Sequence, residues 1–297
     1  MRTNTIQTDL LDIVYLDQGP ADGSPVFLLH GWPDDVRSWQ HIAPILNEKG
    51  FRTITPYLRG TGETRFLRED TIRDGRAVAL AQDVIDLANA LNIEQFQVAG
   101  NDWGARAAYL LAALFPERVK RIAALGLAFQ PNGQFHMPGF EQARRFWYQW
   151  FMYIEEGAAA VAEDPVGFAR IQWDTWSPAD WYNEADFAAT AHSFLNPDWA
   201  AITLQGYRSR FCTEKTDPLY DILSQRMGAI GQLKVPTLVI VGGEDGCDPA
   251  ELSENMEHCF TADYKRVVLE GVGHFPQREA PVNVSALLGD WFGGKYP

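Results

Sequence analysis

Apolar and polar positions along this 297-residue chain follow two alternating rhythms, interrupted once. Residues 10–17 alternate as a strand does, and 18–24 form a loop rich in Gly, Pro and Asp. Residues 25–29 (PVFLL) are wholly apolar, as expected of a strand buried on both faces. A helix is expected over about 36–48, a strand over 51–56, and a second helix over 76–91. That helix carries Val78, Ala81, Ile85 and Leu87 or Ala88 at helical spacing. Residues 96–99 read as the next strand; a helix then runs to about 115, where Pro116 stops it, and 119–127 is a further strand. Such β-α-β-α-β-α-β alternation predicts a mostly parallel sheet with helices on both faces.

The rhythm changes over 131–226. Strand signals disappear, and short helical stretches are broken by Pro165, Pro178, Pro197 and Pro218. Six of the ten tryptophans lie here: Trp147, Trp150, Trp173, Trp176, Trp181 and Trp199. The α/β pattern then resumes, with strands at 237–241 and 264–269, a helix near 251–259 and a last helix at about 282–292. The expectation is therefore an α/β core from 1–130 and 227–297, with 131–226 inserted as a helical lid over the carboxyl edge of the sheet.

The chemistry is concentrated where the strand at 96–99 turns into the alanine-rich helix, in the sequence Gly100-Asn101-Asp102-Trp103-Gly104. A turn this tight crowds its own backbone, so Gly100 and Gly104 stand where bulk is excluded. The apex residue is thereby pushed into the open, and in the Gly-x-Ser-x-Gly version of this elbow it is the nucleophile. Here the apex is Asp102. Attack by a carboxylate on an ester carbonyl would give an anhydride, which is uphill. Attack at a saturated carbon gives a plain alkyl ester, which a histidine-activated water can cleave. The elbow thus points to displacement of a halide or opening of an epoxide; the bland alternative is a turn that happens to carry an acid.

A base and a residue that orients it are then needed, both after the nucleophile in the chain. His274 lies among glycines in Gly271-Val272-Gly273-His274, after the strand at 264–269. Asp245, after the strand at 237–241, is the expected orienting acid, with Asp248 and Glu244 weaker candidates. Both loops leave the carboxyl ends of strands, the edge where open α/β sheets bind ligands. His41, His136, His192 and His258 lie in ordinary contexts, and His30 is expected to fix a loop. The backbone N–H groups of Trp32 and Trp103 are placed to stabilise an oxyanion.

Composition narrows the choice of partner. The hydrophobic fraction of 46% and charged fraction of 22% are those of an ordinary globular chain, and the net charge of −14 argues against nucleic acid or an anionic membrane. Neither a signal peptide nor a membrane-spanning run is evident. Cys212, Cys247 and Cys259 are few, odd in number and without metal-ligand spacing, which fits small core residues in a reducing, cytoplasmic setting.

With these motifs in place, the chain resembles the α/β-hydrolase-fold superfamily, in its epoxide hydrolase and haloalkane dehalogenase branch. The likeness rests on His30-Gly31-Trp32-Pro33, Asp102-Trp103-Gly104, the acid loop ending at Asp245, and Gly273-His274-Phe275. It implies an α/β-hydrolase fold, with a mostly parallel sheet flanked by helices and an inserted cap, and a cofactor-free, metal-free hydrolase. Family epoxide hydrolases carry two lid tyrosines as proton donors, and the matching positions are Tyr148 and Tyr207. Tyr153 and Tyr182 compete, and a shift of one residue would put Trp147 in the first slot. The expected reaction is epoxide opening to a vicinal diol through an ester on Asp102; the alternative is a haloalkane or haloacid dehalogenase using the same nucleophile. A hydrolase-fold protein that only binds a small ligand is the remaining rival. Trp32, Trp103, Trp147 and Trp150 are expected to line the site and favour an apolar epoxide as substrate, with water as the second reactant. Departures from the branch are Asn101 and Tyr57, where histidine and aspartate are usual. No acid follows 119–127, and Arg106 is expected to form a salt bridge at the helix start.

Overall fold

The computed structural model describes residues 2–211 and 214–295; Cys212, expected as a core residue, lies outside them. The strands are β1 (Asn4–Gln7), β2 (Leu11–Gln18), β3 (Ser24–Leu29), β4 (Phe51–Pro56), β5 (Arg65–Phe66), β6 (Phe96–Asn101), β7 (Val119–Leu125), β8 (Thr237–Gly242) and β9 (Tyr264–Leu269). They form one sheet in the order β1-β2-β4-β3-β6-β7-β8-β9, with β5 paired to β2. From β4 to β9 every pairing is parallel, and β2 joins β4 and β1 antiparallel. β1 has only polar and half-buried positions at the sheet edge, which explains why no apolar pattern marks it.

The helices are α1 (Ala43–Glu48), α2 (Ala77–Ala90), α3 (Trp103–Leu114), α4 (Phe140–Arg145), α5 (Trp147–Tyr153), α6 (Glu155–Glu163), α7 (Pro165–Thr175), α8 (Glu184–Ala191), α9 (Trp199–Arg208), α10 (Pro218–Gly228), α11 (Pro276–Glu279) and α12 (Pro281–Phe292). Successive side chains of a strand leave opposite faces, so β3 divides its apolar run between two cores. Val26 and Leu28 join Leu46, Leu288 and Trp291 under α1 and α12. Phe27 and Leu29 join Val84, Ala108 and Leu111 under α2 and α3. Burying each such leucine or phenylalanine contributes about 1.5–3 kcal/mol before chain entropy is counted. The central strands are therefore the rigid part, and the elbow is built on them.

Two expected helices are interrupted. Over 36–48 a 3-10 turn (Val36–Trp39), capped by the Asp35 carboxylate accepting from Arg37 N–H, precedes α1. Pro44 can open a helix but has no N–H with which to continue one. Near 251–259 there are two 3-10 turns, Ala250–Ser253 and Glu257–Cys259, and Asn255 between them has φ +56°. A left-handed residue ends a right-handed helix.

Between β7 and β8 the chain is helical, from α4 to α10. Pro165 and Pro218 open α7 and α10, whose preceding residues Asp164 and Asp217 cap the amides of Gly167 and Leu219. α10 runs past 226 and is tied to the sheet layer: Arg226 donates to Leu114 O at 2.9 Å, and the Tyr220 hydroxyl accepts from buried Arg59 at 2.8 Å. Among the described residues no helix is long and apolar enough to cross a membrane.

The elbow depends on close backbone approach. A Cβ on Gly104 would stand 2.3 Å from Leu29 O and 2.7 Å from His30 O, the end of β3. Neither carbonyl can withdraw without breaking the sheet. Gly104→Ala is therefore expected to lower the unfolding free energy by about 2 kcal/mol or more, as overpacking of a rigid interior does. Urea unfolding measures this; an unchanged midpoint would show that the turn has room for a side chain.

Candidate active site

Asp102 sits between the last residue of β6 and the first of α3, with φ 48° and ψ −113°. A non-glycine residue held there costs about 1–3 kcal/mol, so the surroundings must hold it. Its N–H donates to Leu125 O at 3.1 Å, and its carbonyl accepts from Arg106 N at 2.9 Å. Its Oδ1 accepts from the Trp32 amide at 2.9 Å. Gly31 makes that bond possible, because a Cβ there would stand 2.7 Å from the Asp102 Cβ. The start of α3 adds the positive end of the helix dipole.

His274 reaches the site from the loop between β9 and α11. Its Nδ1 lies 2.8 Å from Asp245 Oδ2, and its Nε2 lies 3.6 Å from Asp102 Oδ2 without any hydrogen-bond partner. Asp245 Oδ1 accepts from the amides of Cys247 and Asp248 at 2.7 and 2.8 Å, which fixes the carboxylate. Nδ1 therefore carries a proton in either charge state, and Nε2, facing Asp102, is the nitrogen that gains or loses one. Glu244 is exposed and takes no part.

Charge is balanced by neighbours rather than by water. Burial would raise the Asp102 pKa, but His274, Arg106 and the Trp32 amide outweigh it and hold the carboxylate below its usual range. Burial would equally strip the proton from His274, but Asp245 and Asp102 together hold its pKa well above the ordinary imidazole value. Burial pushes the phenols of Tyr148 and Tyr207 well up, and the Asp102 charge raises both further. Both are neutral O–H donors at any working pH.

These tyrosines come from α5 and α9, and their rings meet edge-on at 5.4 Å. Only 3% of Tyr148 and 2% of Tyr207 is exposed. The two hydroxyls take different neighbours. Tyr207 accepts from Trp103 Nε1 at 3.1 Å; Tyr148 accepts from Gln149 Nε2 at 3.1 Å and lies 3.6 Å from Cys247 Sγ. In each case a lone pair is occupied, and the O–H proton is left to donate. Trp32 lies at the centre, with its ring 5.7 Å from Tyr148, 5.1 Å from Tyr207 and 6.4 Å from Trp103.

Other expected residues fall elsewhere. Trp147 packs on Phe151 and Phe168, with its ring 6.5 Å from Tyr148. Trp150 is not brought to the site: its indole donates to Ala143 O at 2.8 Å and its ring meets Phe211 at 5.0 Å. At about 100° per residue, position 150 leaves α5 on nearly the opposite side from position 148. Tyr153 is exposed, and Tyr182 bonds Asp174 at the surface. The expected salt bridge of Arg106 is not formed; its Nη1 donates to Gln130 Oε1 at 3.0 Å. His30 fixes its loop, accepting from Leu58 N at 3.1 Å through Nε2, while His41, His136, His192 and His258 are exposed. Asn101 braces the base loop, donating to His274 O at 3.1 Å and accepting from Gln277 Nε2 at 3.1 Å.

Three neighbours of the site had no sequence signal. Trp176 packs edge-on against His274 at 4.8 Å, and its carbonyl accepts from His274 N at 3.2 Å. Cys247, expected only as a core residue, lies beside Tyr148. Gln149 directs the Tyr148 hydroxyl. The spacing of the acid loop could have suggested Cys247, two residues past Asp245; nothing comparable marks the other two. Ligand atoms of Cys247, Asp248 and His274 lie within 4.8 Å of one another. A metal there would take the His274 nitrogen from the triad, and burial holds the Cys247 thiol protonated.

A family profile described as alpha/beta hydrolase fold matches residues 24–281. A Klebsiella pneumoniae crystal structure, provisionally named an epoxide hydrolase, shares 39% identity with a TM-score of 0.90, covering 97% of each chain. Mycobacterium tuberculosis epoxide hydrolase B is 24% identical over 94% of this chain and 93% of its own. Pig bifunctional epoxide hydrolase 2 is 24% identical over 95% of this chain, which spans 53% of that relative's length.

Asp248 offers a test of how closed the site is. Burial, and after it the Asp245 charge, raises its pKa to about 6. The folded state thus holds this proton more tightly than the unfolded chain. The associated stability is complete below about pH 4 and is lost as the pH rises to about 6. Asp248→Asn removes the titrating group, so unfolding free energy should fall less steeply between these pH values than in the wild type. Equal slopes in denaturant titrations would show a carboxylate as well solvated as in the unfolded chain.

Proposed function

We propose, on the premise that this chain belongs to the α/β-hydrolase fold family, that it is a hydrolase that opens an epoxide to a vicinal diol through an ester on Asp102. Residues 131–226 act as the cap, and 1–130 with 227–297 as the core. The observation that carries this reading is the pair of buried, neutral phenols of Tyr148 and Tyr207, packed on Trp32 above the nucleophile's loop. An alkoxide leaving group is strongly basic and needs a proton from such donors, whereas a halide leaves without one. The indoles beside Asp102 favour the same choice. A halide would require their N–H groups, yet Trp32 Nε1 donates to Thr203 Oγ1 at 2.9 Å and Trp103 Nε1 to Tyr207. The names of the relatives point the same way.

In the first step an Asp102 oxygen attacks a ring carbon, the C–O bond of the oxirane breaks, and its oxygen takes a phenol proton. In the second, His274 Nε2 takes a proton from water and the hydroxide adds to the ester carbonyl. The Trp32 amide, which holds the resting carboxylate, then holds the oxyanion together with the Trp103 amide. Collapse breaks the ester C–O bond, the released alkoxide takes the remaining hydroxyl proton, and the Asp102 carboxylate and the imidazolium are restored with the diol. The first step also readies the second. Esterification removes the Asp102 charge, one of two that keep His274 protonated, so the imidazolium can pass its Nε2 proton to the phenolate and stand neutral, able to take a proton, once there is an ester to cleave. The aromatic wall favours an apolar group at the reacting carbon.

His274→Gln is expected to stop after alkylation. Intact-protein mass spectrometry after addition of styrene oxide should show one added substrate mass, mapping to Asp102; an unmodified protein that still forms diol would overturn the covalent route. Tyr148→Phe and Tyr207→Phe should each lower kcat/KM by about 10²-fold or more. Bromide release from bromoalkanes, with no diol from any epoxide, would make the chain a dehalogenase instead.

A further inference from the structure

A cavity of about 450 Å³ adjoins the site at Trp103, whose indole lines it while donating to Tyr207. Phe129, Phe135 and Met227 make much of its wall, and Arg106 and Arg210 stand in it. These two arginines are unusual in a chain with 39 acidic residues against 25 basic ones. Arg76, in the same wall, is paired with Asp74 and Asp221. Arg106 and Arg210 have no ion-pair partner among the described residues. Each bonds only a neutral amide, Gln130 Oε1 at 3.0 Å and Gln149 Oε1 at 3.1 Å. The Nε of Arg106 is buried with no partner. The Arg210 guanidinium lies 4.9 Å from the Tyr207 ring centroid. Burial, and after it the Arg106 charge, pushes the Arg210 pKa down to about 10.

Two cations that repel one another, one with a buried donor unused, in the wall of a chamber of mixed polar and apolar lining are stabilised when an anion joins them. We propose that Arg106 and Arg210 form a subsite for one carboxylate on the substrate, so that the epoxide is an amphipathic acid: apolar around the oxirane, anionic beside the two guanidinium groups that line the cavity. A planar carboxylate matches guanidinium donors in pairs, and α3 and the turn after α9 deliver one arginine each from beside the nucleophile and the proton donor. Arg106 is one helical turn past Asp102, and Arg210 follows α9 three residues after Tyr207. The proposal rests on the epoxide reading for its reacting end only; the subsite itself can be tested without any reaction.

The test compares an acid with its neutral amide. Binding of 4-phenylbutyrate and 4-phenylbutyramide, followed through tryptophan fluorescence, should favour the acid by about tenfold or more in the wild type. Arg106→Gln and Arg210→Gln should each bring that ratio towards one, and Arg210→Lys should keep part of it. Should a glutamine variant fail to fold, the lysine variant and the wild-type ratio carry the result. The same ratio is then read kinetically, as KM for 3-phenylglycidate against 3-phenylglycidamide. Equal binding of acid and amide by the wild type, or a preference that survives both Arg→Gln substitutions, overturns the subsite even if styrene oxide is opened. Selective binding lost in the variants, with neither epoxide opened, leaves the subsite standing and overturns the epoxide reading.

Discussion

A carboxylate that is 5% exposed and still ionised sets the terms for everything around it. Burying a charge without compensation is prohibitive, and from its own helix Asp102 has only the dipole and the Arg106 charge. Its compensation is the Trp32 amide on one oxygen and His274 opposite the other. Neither can be in place unless β3, β6 and β9 end at the same level. The parallel sheet supplies that level: Leu29 pairs with Gly100 in register, and Gly242 with Leu269. The order of the strands is thus fixed by packing, but their common end serves the charge.

The helices above the sheet are bound to the same loops. Trp173 donates to Pro33 O at 2.7 Å, Arg145 donates to Gly246 O at 2.9 Å, and Gln142 to Cys247 O at 2.8 Å. Ser177 Oγ accepts from His274 N at 2.9 Å. Each of these bonds ends on a backbone atom of a loop that carries a site residue. The cap segment therefore does more than exclude water; it holds the acid and base loops from above as the sheet holds them from below. Loops gripped on both sides keep their geometry when a charge appears or disappears between them, which is what preorganised electrostatics requires.

How much of this the sequence shows depends on whether the cause is local. The elbow is legible because glycine and alanine are demanded by the backbone within a few residues of Asp102. β3 and β6 are legible because continuous burial leaves an unbroken apolar run. His274 and Asp245 follow from chain order and their loops. β1 is not legible, since a polar edge strand is defined by the neighbour it pairs with. Trp150 was misplaced because an aromatic stretch does not state which residues share a helix face. Cys247 and Trp176 approach Tyr148 and His274 only through folding, from separate loops, and Gln149, next to Tyr148 in α5, carries no mark of turning its amide onto that hydroxyl. An arginine at a helix start in an acidic chain would ordinarily find a salt bridge, but among the described residues the fold gives Arg106 only the Gln130 amide.

That withheld partner bears on the rest of the site. Arg106 lowers the Asp102 pKa and acts on Arg210 as a second charge, so two positive charges stand in the wall of the cavity that adjoins the nucleophile's loop. In such a low-dielectric wall a field is weakly screened and reaches the carboxylate, the phenols and any anion nearby. The two effects oppose each other. Cations steady the Asp102 anion and so make it a weaker nucleophile; an anion bound between them cancels part of that field and restores its reactivity. A substrate carrying its own negative charge would thus sharpen the nucleophile by arriving, whereas an uncharged molecule in the same cavity would leave the arginines' hold on Asp102 intact.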